Sequence, residues 1–235
     1  MMSDDRQDMT EHDVAHQPES DHSSVETPQF RIIDGGCPAL ECELPQGSSL
    51  AVKADSFMAK SPAISIHASA GQDFESYQND ADEAELLYLS SQMPGSFMMF
   101  DLSVHRHGLI ILAQSLFAYD EDVVCDTVLD VEIGDEHKRG YKLYQITGEG
   151  QAIAFMRGDL FPLSLADDDN QQVHADMIAA IEPSVGFELT QLSNGQYVAN
   201  LSGKGRIWLQ SVAQAALPAA QPSKERAKGG FFTRS

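Results

Sequence analysis

Short apolar runs separated by Gly, Pro, Asp and Asn fill the chain from Phe30 to Val212. They are RIIDGG, SLAVKA, ISIHAS, ELLYLSS, SFMMFDLSV, GLIILAQ, VLDVEIG, YKLYQIT, AIAFMRG, FELTQL, YVANLSG and RIWLQSV. Each is too short for a typical helix and ends at turn-forming residues, so each predicts a strand. Many short strands at this spacing predict an all-β sandwich or barrel-like fold. Two stretches break the pattern. Residues 72–87, QDFESYQNDADEAELL, predict a loop or a short helix, and residues 166–172, ADDDNQQ, an exposed turn. The longest apolar stretch, Leu109 to Ala118, is interrupted by Gln114 and Ser115. It falls well short of the roughly 20 residues that a membrane-spanning helix needs.

The runs repeat. SLAVKADSFMAKSPAISI, residues 49–66, aligns with GLIILAQSLFAYDEDVVC, residues 108–125, and with residues 170–187. Leu50 meets Leu109, and Val52 meets Ile111 and Val173. Ala59 meets Ala118 and Ala180, and Ile64 meets Val123 and Val185. A second element recurs: Pro94-Gly95, Gly148-Glu149-Gly150 and Gly203-Lys204-Gly205 each lie between two strand-like runs. Glycine there suits a tight hairpin turn with positive φ, so Gly95, Gly148, Gly150, Gly203 and Gly205 are read as the repeat turns. One such unit cannot bury its own apolar face, whereas three packed about a pseudo-threefold axis can.

Four segments carry a family likeness. They are FRIIDGGCPALECELPQGSSLAVKADSFMAKSPAISI, GLIILAQSLFAYDEDV, VHADMIAAIEPSVGFEL and the closing NLSGKGRIWLQSV. On these residues the sequence resembles the altered-inheritance-of-mitochondria protein 24 family, as a bacterial member, over roughly residues 30–212. The resemblance implies three tandem repeats of a short double-stranded β-helix, similar to the tryptophan RNA-attenuation protein, with pseudo-threefold symmetry. It also implies a tendency to oligomerise. Fungal relatives are tied to organisation of the mitochondrial inner membrane. Ser56 and Ser115 depart from the glycine that members often carry.

Composition narrows the function. The formal net charge is -21. A phosphate backbone is bound by Lys and Arg that displace its counterions, so this balance argues against nucleic acid and against anionic membrane surfaces. Residues 1–28 are acidic and poor in apolar side chains and predict a disordered tail, with His12, His16 and His22 at loose spacing. Their lack of an apolar core region argues against a secretory signal, and their acidity against a transit peptide. Residues 216–235 turn basic and predict a flexible tail, in which Phe231 and Phe232 beside Lys228 and Arg234 are a candidate docking peptide. Residues 29–215 form the triplicated domain. Three cysteines without a framework, Cys37, Cys42 and Cys125, fit a reducing compartment, hence the cytoplasm of a bacterium.

Candidate chemistry is sparse. His105 and His107 sit two apart and are weak metal-ligand candidates, with His67, His137 or Asp101 to complete a set. Cys37 and Cys42 read as ordinary thiols, and Cys42, in phase with Leu40 and Leu44, as a core residue. Trp208 reads as a core or oligomer-interface residue. Asp120-Glu121-Asp122 and Asp167-Asp168-Asp169 read as solvated turns without calcium-loop spacing. No catalytic motif places a base beside a nucleophile, and no cofactor is called for. These features point to a non-enzymatic structural or interaction scaffold that forms homo-oligomers and can meet a protein partner through its C-terminal tail. The alternative is a cupin-like small-ligand or metal-binding β protein.

Overall fold

The structure, a computed structural model, describes residues 27–68, 73–133 and 139–213. The sequence expectations for the two tails, including Phe231 and Phe232, and for His137 lie outside these residues.

Among the described residues all the regular elements are strands apart from one short 3-10 turn, Ala175–Met177. They are β1 (Gln29–Ile33), β2 (Ala39–Leu44), β3 (Ser49–Lys53), β4 (Phe57–Lys60), β5 (Ile64–Ala68), β6 (Phe74–Asn79) and β7 (Glu85–Ser90). Next come β8 (Gly95–Asp101), β9 (Leu109–Leu112), β10 (Leu116–Asp120), β11 (Val123–Ile133), β12 (Arg139–Gly148) and β13 (Gln151–Arg157). The last are β14 (Leu160–Leu165), β15 (Asn170–His174), β16 (Ile178–Ile181), β17 (Gly186–Gln191), β18 (Tyr197–Ser202) and β19 (Gly205–Gln210). The stretch expected as loop or helix over 72–87 instead contributes β6 and the start of β7. Most polar residues there face outward while Phe74, Tyr77, Asn79 and Leu87 are buried, and pairing with β3 and β2 supplies what local pattern does not.

The strand pairing follows one scheme three times. β2–β7–β4, β8–β13–β10 and β14–β19–β16 are equivalent antiparallel triplets. So are β5–β6–β3, β11–β12–β9 and β17–β18–β15. The equivalence holds residue by residue. A β-bulge falls between Phe57 and Ala59, between Leu116 and Ala118, and between Ile178 and Ala180. Bulges of this kind locally sharpen the twist of a strand. The three small alanines, Ala59, Ala118 and Ala180, follow them and pair with Tyr88, Ile153 and Trp208.

Two further ladders join neighbouring units. β3 pairs β10, with Val52 opposite Ala118, and β9 pairs β16, with Ile111 opposite Ala180. Each join fuses two triplets into a six-stranded sheet. A third join, β4 with β15, would be needed for threefold closure. It is absent among the described residues, so the outer triplets remain as a four-stranded sheet extended by β1 and a three-stranded sheet.

The core lies between the triplets. Phe97 meets Phe117 at 4.7 Å and Phe155 at 5.2 Å, both edge to face. Such pairs add about 0.5–1.5 kcal/mol each beyond the area they bury. Leu40, Cys42 and Leu44 are buried together on one face of β2, as their alternation predicts.

Candidate functional site

The junction of the second and third units gathers side chains of differing chemistry. The chain leaves β8 at Asp101, whose Oδ1 accepts from the Ser103 N–H at 2.9 Å and from its hydroxyl at 2.6 Å. That turn ends at Gly108, with φ +73°, where any Cβ would run into the Ile146 carbonyl oxygen. Between these fixed ends His105 lies edge-on to Phe100 at 5.9 Å and to Trp208 at 6.0 Å. Trp208, on β19, is buried and packs edge to face against Phe100 at 5.1 Å. The Arg206 guanidinium lies 5.7 Å from the Trp208 ring centroid. It also donates through Nε to Glu182 Oε1 at 3.0 Å, while its backbone N–H donates to Oε2 at 2.9 Å.

Of these, His105, Gly108, Glu182 and Arg206 line a cleft of about 700 Å³ that also takes in Arg106, His107 and Gln145. Burial, followed by the Arg206 charge, lowers the pKa of His105, while Glu182 and Asp101 oppose the shift. An imidazole beside two guanidinium groups can hold a small anion by hydrogen bonding.

His105 and His107 are thus brought to one cleft. The further ligands considered for them are not. Asp101 is engaged by Ser103, and His67 sits on β5, beside Ser65 Oγ at 3.0 Å. Among the described residues no group of three or more His, Cys, Asp or Glu side chains converges. Trp208 is in the core, against Phe100, and not on an open face. The hairpins expected at these glycines are not formed: Gly148 and Gly150 lie where β12 passes to β13, and Gly203 and Gly205 where β18 passes to β19, and in each case the two strands belong to different sheets, so the glycines serve crossings from one sheet to the next. Gly95 does not belong with them. It opens β8 and pairs with Arg157, in the connection between units. In the first unit Asn79 takes the place of Gly148, opposite Ile64 as Gly148 is opposite Val123. Its buried amide donates to the carbonyls of Leu44 at 2.9 Å and Glu83 at 2.8 Å, so a side chain serves where the other units use glycine.

Two features escaped the sequence reading. Lys53 at the end of β3 and Arg157 at the end of β13 flank a cleft of about 490 Å³ between the first and second units. Lys53 donates to the Gln114 carbonyl at 2.7 Å, and burial pulls its pKa down to about 8. Two residues with left-handed backbone, Asp55 and Gln92, sit on the rim and are joined through Gln92 Nε2 and the Asp55 carbonyl at 2.6 Å. The second feature is Asp120, nearly fully buried. Its Oδ2 accepts from the Gln151 N–H at 2.7 Å, and its Oδ1 has no partner. Glu182 holds the equivalent place in the third unit, where Arg206 completes it. No spacing rule marks either feature, because their partners lie far along the chain.

The cysteines are free. Burial raises the pKa of the Cys42 thiol far above its ordinary value and that of Cys125 to about 11, so neither is poised as a thiolate.

The profile of a family described as Mitochondrial biogenesis AIM24 matches residues 30–212, which takes in the strands from β1 to β19. The chain belongs to this family. Among solved structures, this AIM24 chain is similar to the crystal structure of protein SPYM3_0169 from Streptococcus pyogenes, with a TM-score of 0.68 and 14% identity. The match covers 80% of this chain and 95% of that one, and at such identity it shows the fold alone. No curated protein matches the AIM24 chain in sequence.

Proposed function

We propose that this AIM24 chain is a non-enzymatic scaffold, built to be assembled and to present surfaces. The observation that carries the reading is the use of the chain's buried chemistry. The largest buried side chains are apolar or aromatic and fill the space between strand triplets. The buried polar residues Asn79, Asp120 and Gln210 hold turns and strand starts in place. The repeated pairing scheme supports a chain of three tandem units of a short double-stranded β-helix, like the tryptophan RNA-attenuation protein. The acidic balance supports partners other than nucleic acid. The free cysteines fit a reducing cytoplasm. No helix among the described residues is long and apolar enough to cross a membrane. A purified full chain incubated with a cell metabolite extract should run above its monomer mass and consume no metabolite. A strict monomer that turns over a metabolite would overturn the proposal.

A second reading has one observation in its favour, the guanidinium and imidazole groups of the His105 cleft. They fit a small carboxylate or phosphate. Calorimetric titration with citrate and with inorganic phosphate tests it, and heat of binding that survives Arg206→Ala would remove it.

A further inference from the structure

We infer that β4 of one copy of this chain pairs with β15 of the next, and that the chain assembles head to tail through this ladder. The inference rests on the scaffold reading and supplies its partner, a second copy.

The argument comes from the joins inside the chain. Each internal join adds the triplet ending in β10 or β16 to the triplet ending in β3 or β9. The strand equivalent to β10 and β16 in the first unit is β4. The strand equivalent to β3 and β9 in the third unit is β15. Both are edge strands among the described residues, and the four- and three-stranded sheets they border are the two halves of one more such sheet. The register follows from the two joins already made. Val52 faces Ala118 and Ile111 faces Ala180, so Val173 of one copy would face Ala59 of the next. In the same way Ala51 faces Tyr119 and Ile110 faces Ile181, so Gln172 would face Lys60.

Burial points the same way. Leu116 and Phe117 on β10 are 0% and 2% exposed, and Ile178 and Ala179 on β16 are fully buried. Their equivalents on β4, Phe57 and Met58, are 45% and 51% exposed. On the other edge Leu50 and Leu109 are fully buried, while their equivalent Gln171 is exposed. Natural edge strands are blunted by charge or proline because an open edge recruits another strand. Here β4 keeps an exposed Phe-Met pair, and β15, with sequence NQQVH, carries no Lys, Glu, Asp or Pro. A head-to-tail contact of this kind is heterologous, so it propagates until the step closes on itself as a ring. A closed ring would hold a multiple of three units.

The test uses two full-length variants at exposed positions. Met58→Lys puts a charge where β4 would be covered, and Gln171→Lys does the same on β15. Native mass spectrometry should show each variant alone as a monomer and the wild type as an oligomer. Mixed, the two should form a 1:1 pair, because the intact β15 of the first meets the intact β4 of the second. A mixture of Lys60→Cys and Gln172→Cys chains should then give an interchain disulfide between residues 60 and 172 on peptide mapping. If the wild type assembles and both lysine variants assemble equally well, another surface does the joining. The inference then fails while the scaffold reading stands. If the edges are covered by the chain's own residues 1–26 or 214–235, the mixture stays monomeric and the inference also fails. A wild type that is monomeric at every concentration overturns both.

Discussion

Replacing Asp120 by Asn should stabilise the protein at neutral and alkaline pH and give no gain, or a small loss, at acid pH. Asp120 sits at the end of β10, with one carboxylate oxygen on the Gln151 N–H and the other unpartnered. Burial raises its pKa from 3.8 to about 6; the Gln151 N–H opposes the shift, and Asp122 and Glu121 add to it. The folded state therefore binds an extra proton between about pH 4 and pH 6, and folding loses stability as pH rises through that window. Two pKa units correspond to about 3 kcal/mol at pH values above both. Asn keeps the acceptor for Gln151 and removes the buried charge, but it places an amide nitrogen where the unpartnered oxygen lies. That desolvation returns about 1–2 kcal/mol of the gain. The net is about 1–2 kcal/mol, or roughly 3–6 °C in Tm for a chain of this size. Thermal unfolding of both proteins by circular dichroism from pH 3.5 to pH 8.5 measures it. The Tm difference should open between pH 4 and pH 6 and then stay constant. An Asp120→Asn protein less stable than wild type at pH 8, or a difference independent of pH, would refute the reasoning.

Further outcomes follow from the packing. Trp208→Ala removes a buried ring that touches Phe100 and His105 and should cost about 3–5 kcal/mol in denaturant unfolding. Gly148→Ala forces a side chain at φ +106° into the Asp122 carbonyl oxygen and should cost about 2 kcal/mol or more by the same measurement. Mass spectrometry after brief iodoacetamide treatment of the native protein should find Cys37 alkylated first, Cys125 slowly and Cys42 only after unfolding, because exposure falls in that order and burial raises the thiol pKa of Cys125 and Cys42.

Much of this architecture can be read from the residues. The Ala59, Ala118 and Ala180 alignment lands each time on the residue that follows a β-bulge. The alternation of Leu40, Cys42 and Leu44 fixes their shared face. Glycine spacing misleads at Gly95. It assumes that each unit makes this crossing between sheets with the same residue, whereas the first unit, between β6 and β7, uses Asn79 and its hydrogen bonds. The acidic stretch over 72–87 hides two strands, since its outward-facing polar residues outnumber the buried Phe74 and Tyr77. The clefts are not legible at all. His105 meets Arg206 and Glu182 only because two units abut, and nothing local to any of the three residues signals it. The open edges are likewise a property of topology. Phe57-Met58 and Leu116-Phe117 look alike in sequence, and only the pairing shows that one is covered and the other is not.

Amide hydrogen exchange of the wild-type chain, followed across a concentration series, bears on whether its two ends are made for each other. With rising concentration the backbone amides of Phe57–Lys60 and Asn170–His174 should become protected together, approaching the rates of Leu116–Asp120 and Leu109–Leu112. Fast exchange at both edges while the protein is assembled would contradict the account.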